Sequence, residues 1–242
     1  VVCRRQRQMC IRDRFTGGEP IINKEHYDLL DSIPDEVKRR IKLRYASNLS
    51  YIKFKKYDLI KIWNKFKSVN IKVSMDGVGD VYNYIRRDGD WDTVYANMMI
   101  LDSEPTIDLA AGITVQAHNI FHMPEFYKFW KESPIDLKFI TANILQTPKY
   151  LRPNLWPAEY RELILNKLVE AKKEFPEMKK FITYLKSNEP IIRDYAKMRK
   201  YTRDIESRYL LEVDLKKMIR QHLGVKLEGM DIVNERIVNE KG

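Results

Sequence analysis

The amino-acid sequence predicts an α/β fold, a partial (β/α) TIM-like barrel that continues into a helical C-terminal extension. Between residues 15 and 176, short apolar runs with the period of a strand alternate with longer segments that have the period of a helix. Such alternation is typical of parallel strands joined by crossover helices. Beyond Pro176 the strand signals stop and only helical patterns follow.

The first half of the chain contains three predicted strands. The first ends at Phe15 and Thr16, and the second and third cover 41–47 and 71–75. In the last two, polar and apolar residues alternate with the period of two that a half-buried strand requires. The turn-forming residues that follow them, Asn48 and the segment DGVGD after Met75, mark where each strand ends.

Three helices are predicted between and after these strands. Asn23 can cap the first, which runs to about Leu30, through its side-chain oxygen. The second covers 57–67 and places four apolar residues on one face, namely Leu59, Ile62, Trp63 and Phe66. The third begins at Asp90, a good capping residue, and carries an apolar series that starts with Trp91. We expect Trp63, Trp91 and the later Trp130 to be core residues because they lie at helical spacing among other apolar side chains.

The second half continues the alternation and then becomes helical. Two apolar strands are predicted at 109–116 and 137–145, separated by a helix with Pro124 in its first turn. Long helices follow, at 158–175, 177–186 and 190–219. The change near residues 187–190 is the best boundary in the pattern, so we assign a barrel to 15–188 and a helical extension to 189–242.

The composition indicates a globular protein with a basic surface. No apolar run reaches the roughly 18 residues that a membrane span needs, and no secretory signal precedes the first strand, so we expect a cytoplasmic protein without a membrane partner. The net charge of +10 is compatible with a nucleic-acid or phosphate surface. The lysines are scattered over many helices and form no single stripe, which favours a solvated basic face.

Residues 1–14 differ from the rest of the chain. They have no hydrophobic period, they carry five arginines against one aspartate, and they contain both cysteines of the sequence, Cys3 and Cys10. Six residues separate the two cysteines, a spacing that neither staples a large core nor provides a zinc pair. We interpret 1–14 as a non-native or disordered leader.

The segment FTGGEP, residues 15–20, is the most suggestive motif. Two glycines allow the backbone to approach a ligand closely, and Pro20 fixes the turn. Glu19 can accept a hydrogen bond from an ammonium group and pair with its charge. Taken alone, the tetrapeptide GGEP favours a strand-to-helix turn that has an exposed glutamate.

FTGGEP resembles the second-strand motif of radical S-adenosylmethionine enzymes. Two further segments resemble motifs of that superfamily: YASNLS its third-strand turn, and IKVSMDG its fourth-strand motif. Three later segments are similar to the subgroup with twitch domains: YNYIRRDGDWDTVYANM, NIFHMPEFYKFW and ILQTPKYLRPNLWP. The resemblance extends over nearly all of the chain after the leader, and the order of the motifs along one barrel is its most specific part.

The resemblance implies an enzyme that cleaves S-adenosylmethionine reductively to a 5′-deoxyadenosyl radical, which abstracts hydrogen from a substrate. It implies a [4Fe–4S] cluster, a reductant such as flavodoxin or ferredoxin, and, as a first guess, a peptide or small-protein substrate. By the same resemblance, Gly17, Gly18 and Glu19 contact the amino end of the methionyl part. Ser74 and Asp76 lie near the ribose or carboxylate, and weaker matches fall on Asn48 and Asn119. An ordinary role in a turn or at a strand end also fits these four residues, Ser74, Asp76, Asn48 and Asn119.

One departure from the family is serious. Radical S-adenosylmethionine enzymes hold their cluster with three cysteines spaced C-x3-C-x2-C just before this motif, where the present chain has the leader. Three thiolates are required so that one iron stays open for the cosubstrate. The chain therefore looks like an N-terminally truncated fragment, and we expect it to hold no cluster and to be inactive as given.

Other candidate residues are weaker. His118 and His122 lie four apart, which suggests a metal pair, but a predicted strand-to-helix turn separates them, so we expect no metal site there. Arg86 and Arg87 can grip an anionic substrate or form an exposed turn. Two alternative functions remain open: a cluster-free α/β barrel that binds a phosphorylated ligand at its strand ends, and a basic nucleic-acid-binding module.

Overall fold

The protein is described from a computed structural model, which defines residues 12–15, 19–87, 89–189, 192–209 and 214–225. The chain forms two compact units that are interleaved along the sequence. The first unit comprises 1–74, 92–112 and 134–141, and the second comprises 75–91, 113–133 and 142–242.

The described residues contain seven strands. They are β1 (Arg12–Phe15), β2 (Lys42–Ser47), β3 (Lys53–Phe54), β4 (Tyr57–Asp58), β5 (Ser68–Ser74), β6 (Ile107–Val115) and β7 (Leu137–Ile144). Five of them form one sheet in the order β1-β2-β5-β6-β7, and β3 and β4 form a separate antiparallel hairpin. The pairs β1–β2, β2–β5 and β5–β6 are parallel.

The strand order confirms the predicted α/β class. Each strand of the five-stranded sheet is added beside the strand that precedes it in this sheet, as in a barrel-type winding, and the order does not reverse as it does in a doubly wound fold. In register, Phe15 lies opposite Tyr45, Ser47 opposite Val73, and Ser74 opposite Gly112. Parallel pairing therefore brings the carboxyl ends of these strands to one edge of the sheet.

The described residues contain ten α-helices. They are α1 (Lys24–Ser32), α2 (Asp35–Lys38), α3 (Leu59–Trp63), α4 (Asp80–Ile85), α5 (Trp91–Asp102), α6 (Met123–Glu132), α7 (Ala158–Ala171), α8 (Met178–Ser187), α9 (Ile192–Tyr209) and α10 (Leu215–Leu223). The predicted caps are confirmed at two of them. The Asn23 side chain accepts a hydrogen bond from the Glu25 N–H at the start of α1, and Pro124 lies in the first turn of α6.

Two predicted helices were wrong in extent. The predicted helix at 57–67 is only the short α3, because the hairpin occupies 53–58 and the Asp58 side chain caps α3 by accepting a hydrogen bond from Lys61 N–H. The predicted helix at 190–219 is two helices, α9 and α10. Asp214 has extended backbone and caps α10 through the Lys217 N–H at 2.6 Å.

The predicted core tryptophans are confirmed. Trp63 is fully buried in the first unit, and Trp91 and Trp130 are buried in the second. Residues of α9 are buried as well, among them Tyr195, Met198 and Ile205, and the Tyr195 ring contacts Trp156 in the same unit. These apolar side chains of α9 therefore pack within the second unit.

The start of the chain and the character of its helices were also considered in the sequence predictions. Strand β1 begins at Arg12, so it includes three residues of the segment 1–14 that the sequence sets apart, and both cysteines lie outside the described residues. Within the described part of the chain, no helix combines the length and the apolar character that crossing a membrane requires.

Candidate functional site

In the first unit, Glu19 is held at the carboxyl ends of β1 and β2. Its Oε1 accepts hydrogen bonds from the Ser47 hydroxyl at 2.7 Å and from Ile21 N–H at 3.4 Å. Its Oε2 accepts a hydrogen bond from the Asn48 N–H at 2.8 Å. All three donors are neutral, so they orient the carboxylate without neutralising its charge. Gly17 and Gly18 lie outside the described residues.

The turn after β2 is unusually constrained. Leu49 is fully buried and has a φ of 56°, a left-handed conformation that costs a residue with a side chain roughly 1–2 kcal/mol. Its N–H donates to the Ser47 hydroxyl at 2.9 Å, and its carbonyl accepts a hydrogen bond from the Asn97 side chain at 2.9 Å. Asn48 completes the turn by accepting from the Ser50 N–H. Strained backbone of this kind is concentrated at functional sites, which makes the turn notable.

Asn97 is the residue that the sequence analysis missed in this unit. It lies on α5 beside Met98 and is itself buried. An asparagine on the buried face of an apolar helix needs a hydrogen-bond partner, and this was the signal that could have identified it. The structure brings Glu19, Asn48 and Asn97 to one turn.

In the second unit, Asp76 and Asn119 join the segment after β5 to the end of β6. The Asn119 amide donates to the carbonyls of Asp76 at 2.7 Å and Thr114 at 2.9 Å, and its Oδ1 accepts from Gln116 N–H at 2.7 Å. Asp76 Oδ1 accepts from the Thr114 N–H at 2.7 Å. Asn119 is completely buried, and both of its N–H donors are used by these backbone groups.

The Asp76 carboxylate also has a cationic partner. A guanidinium nitrogen of Arg86 lies 3.0 Å from Asp76 Oδ2. Burial raises the pKa of Asp76, and Arg86 and the Thr114 N–H oppose this shift by stabilising the ionised form. Arg86 was a candidate for binding an anionic substrate, but in the structure it is already paired with a carboxylate of its own chain.

Ser74, His118 and His122 are the remaining predicted candidates, and each has its own surroundings. Ser74 is the last residue of β5 and is partly exposed. The His118 ring contacts the Thr202 hydroxyl at 3.0 Å, whereas His122 Nε2 accepts a hydrogen bond from Val78 N–H at 3.2 Å. The two histidines thus face different partners.

A polar cluster that includes the partly exposed Glu125 and His222 lies around the buried His122. Glu125 Oε1 lies 2.5 Å from the Lys167 ammonium and 3.7 Å from His222 Nδ1, and the ligand atoms of His122, Glu125 and His222 all lie within 4.8 Å of one another. Burial lowers the pKa of His122 to about 3. Burial opposes ionisation of Glu125 as well, but the neighbouring His222 and Lys167 outweigh it and lower the pKa of Glu125 to about 2.

This cluster does not fit a metal ion. Because a backbone N–H donates to His122 Nε2, the proton of the neutral ring is on Nδ1, and neither nitrogen offers a free lone pair. The Lys167 ammonium already forms an ion pair with the Glu125 carboxylate, and its positive charge would repel a metal ion. The cluster is therefore an internal ion-pair network that links α6, α7 and α10.

A [4Fe–4S] cluster also does not fit the residues of this sequence. Such a cluster needs three or four thiolates, and the sequence contains two cysteines. No step of radical formation can therefore be assigned to side chains of this chain.

Comparisons with known proteins are limited to distant structural likeness. No protein-family model matches the sequence, and no curated protein matches it. Among solved structures, native anSMEcpe with bound AdoMet and Cp18Cys peptide is similar with a TM-score of 0.45 and 16% identity, over 69% of this chain and 48% of that chain. A histidine-tagged form of anSMEcpe with bound AdoMet is similar with a TM-score of 0.45 and 16% identity, over 69% of this chain and 45% of that chain. The chain thus spans about half the length of these structures, and a likeness at this level assigns neither a family nor a function.

Proposed function

We propose that this chain is the cosubstrate-binding barrel of a radical S-adenosylmethionine enzyme, and that Glu19 accepts the ammonium group of the methionyl part. The observation that carries the proposal is the state of the Glu19 carboxylate. It is partly buried at the carboxyl ends of β1 and β2, where ligands bind in parallel α/β barrels. No lysine, arginine or histidine of the described residues forms an ion pair with it.

The hydrogen bonds of Glu19 leave capacity for such a ligand. An ionised carboxylate has about four lone-pair positions, and here Oε2 accepts one hydrogen bond while Oε1 accepts one short and one long one. A charged N–H donor is the partner that gains most from the remaining positions, because charge-assisted hydrogen bonds are roughly twice as strong as neutral ones. The strained turn at Leu49 supports the proposal by fixing Ser47 and Asn48, the two residues that orient the carboxylate.

The remaining predicted site residues take two kinds of role in this proposal. Gly17 and Gly18 provide backbone groups to the methionyl end, and Ser74 lies near the ribose. Asp76 and Asn119 act as positioning residues, because their polar atoms connect the segment after β5 to the end of β6. The peptide substrate, the reductant and the cluster belong to the proposed enzyme and not to any side chain described here.

The experiment compares S-adenosylmethionine with an analogue that lacks its α-amino group. Both are titrated by calorimetry into the full chain, into Glu19→Gln and into Glu162→Gln, an exposed carboxylate on α7 that serves as a matched charge control. We expect Glu19→Gln to weaken S-adenosylmethionine about tenfold or more, the size of a lost charge-assisted hydrogen bond. Its affinity for the analogue should be unchanged.

Three results would refute the proposal: no binding of S-adenosylmethionine by the unmodified chain, equal loss for the ligand and the analogue, or equal loss in both variants. Circular dichroism of Glu19→Gln guards against unfolding as the cause, since that residue also orients the turn after β2. A folded variant with the selective loss supports the proposal.

A further inference from the structure

A cavity of about 380 Å³ lies in the first unit at the amino-terminal ends of β2 and β5. Arg39 is three residues before β2, and Lys67 directly precedes β5. Its lining residues are Asp35, Arg39, Asn64, Lys65, Phe66 and Lys67. The cavity is thus at the opposite ends of the strands from Glu19, and it plays no part in the function proposed above.

Basic groups dominate the cavity. Three of its lining residues are cations, and a fourth, Lys38, lies beside it with a side chain only 4% exposed. Lysine is almost never buried to this extent without a charged partner. The partner is Asp35, whose Oδ1 lies 3.1 Å from the Lys38 ammonium and 3.8 Å from that of Lys65.

Asp35 is therefore shared by several cations, because it pairs with Lys38 and Lys65 and also interacts electrostatically with Arg39. No carboxylate of the described residues forms an ion pair with the Arg39 guanidinium or the Lys67 ammonium. The Asn64 amide donates to Glu104 at 2.9 Å and accepts from the Thr106 hydroxyl at 2.6 Å, so one further carboxylate borders the cavity. Four basic residues against Asp35 and Glu104 leave a local excess of two positive charges.

Backbone hydrogen bonds fix the two segments from which these side chains extend. The Lys67 N–H donates to the carbonyls of Lys38 at 3.2 Å and Ile41 at 3.0 Å, which ties the start of β5 to the segment before β2. Phe66 is buried, so the backbone of its neighbours Lys65 and Lys67 is fixed, whereas the side chains of Arg39, Lys65 and Lys67 are exposed. Cations that extend from a fixed backbone lose less entropy on binding an anion than the same cations on a mobile segment.

We propose that this cavity binds a small ligand that carries phosphate groups. A guanidinium group and ammonium groups are the side chains that recognise phosphate, the first by paired hydrogen bonds and the second as point charges. A volume of about 380 Å³ is within the range of small-molecule sites and admits a phosphorylated metabolite. A nucleic acid would instead use basic groups spread over a larger surface.

The test uses tripolyphosphate as the probe, with the full chain at low ionic strength and at physiological ionic strength. The variants are Arg39→Gln, Lys65→Gln and Lys67→Gln, and the matched control is Lys53→Gln, an exposed lysine in the hairpin that has the same change in charge. Each cavity variant should raise the dissociation constant about fivefold or more, because removing one unit charge at contact distance costs at least that factor even in water. Lys53→Gln should change it less than about twofold, because Lys53 is exposed and is not one of the residues that line the cavity, so its charge is largely screened.

A fourth variant reverses the sign of the effect. Asp35→Asn removes the one carboxylate that lines the cavity, so a folded Asp35→Asn protein should bind tripolyphosphate more tightly than the unmodified chain. Thermal denaturation checks its folding, because Lys38 loses its partner; the three glutamine variants decide the question if Asp35→Asn does not fold.

Two outcomes overturn the proposal. One is the absence of tripolyphosphate binding at low ionic strength. The other is an equal weakening by Lys53→Gln, which would assign the binding to the net charge of the whole chain. A single-stranded DNA oligomer that binds more tightly than tripolyphosphate, with affinity equally sensitive to Lys53→Gln, would indicate a nucleic-acid surface and would also overturn it.

Discussion

Asn119→Ala is the sharpest test of how the second unit is built. Asn119 is fully buried, and its side chain makes three hydrogen bonds of 2.7–2.9 Å with backbone groups at the ends of two strands. Each such bond contributes about 1 kcal/mol net, and alanine leaves the carbonyls of Asp76 and Thr114 and the N–H of Gln116 without this partner. We therefore expect the free energy of unfolding to fall by about 3–4 kcal/mol, since buried groups left unpaired add to the loss.

The assay is urea denaturation followed by both tryptophan fluorescence and far-ultraviolet circular dichroism. Coincident transitions would justify a two-state treatment of a chain that has two compact units. The control is Asn166→Ala, an exposed asparagine on α7, which should change stability by no more than about 0.5 kcal/mol. If Asn119→Ala unfolds at the same urea concentration as this control, the three hydrogen bonds do not stabilise the second unit and the reasoning is refuted.

Two further predictions concern backbone strain and acid stability. Leu49→Gly should be about 1 kcal/mol more stable than Leu49→Ala by the same denaturation assay, because both lose the buried side chain but glycine adopts a φ of 56° without strain; equal stabilities would show that the turn relaxes. His122 has a folded-state pKa near 3 against an ordinary value of 6.5, so the unfolded chain binds a proton that the folded chain does not. The contribution of neutral His122 to the free energy of unfolding is fully present above pH 6.5 and is lost as the pH falls from 6.5 towards 3. His122→Gln, which keeps an acceptor for Val78 N–H, should reduce the slope of stability against pH in this window by up to about 1.4 kcal/mol per pH unit, and an unchanged slope would contradict the assignment.

Local patterns were sufficient for the fold class and for most long elements. The alternation of strands and helices, the cap at Asn23, Pro124 in a first turn and the core tryptophans are all visible within a few residues of sequence. They could be predicted because periodicity and capping depend on neighbours along the chain.

Short elements were not predictable in the same way. The hairpin at 53–58 and helices α2 and α4 are between two and six residues long, too short for a period to emerge. The break between α9 and α10 was also missed, although Asp214 is a capping residue, because the apolar pattern of the two helices continues across it.

The sequence by itself determined which polar residues lie at strand ends, and only the tertiary structure decided what each of them contacts. Glu19 forms hydrogen bonds with Ser47 and Asn48, which lie 28 and 29 residues further along the sequence. Asn119 forms a hydrogen bond with Asp76, which lies 43 residues before it. The cation excess around Lys67 likewise arises because parallel pairing places the starts of β2 and β5 side by side. Periodicity reports which face a residue occupies, but a hydrogen bond or a charge cluster depends on separations that arise when distant segments pack, and no local pattern encodes them.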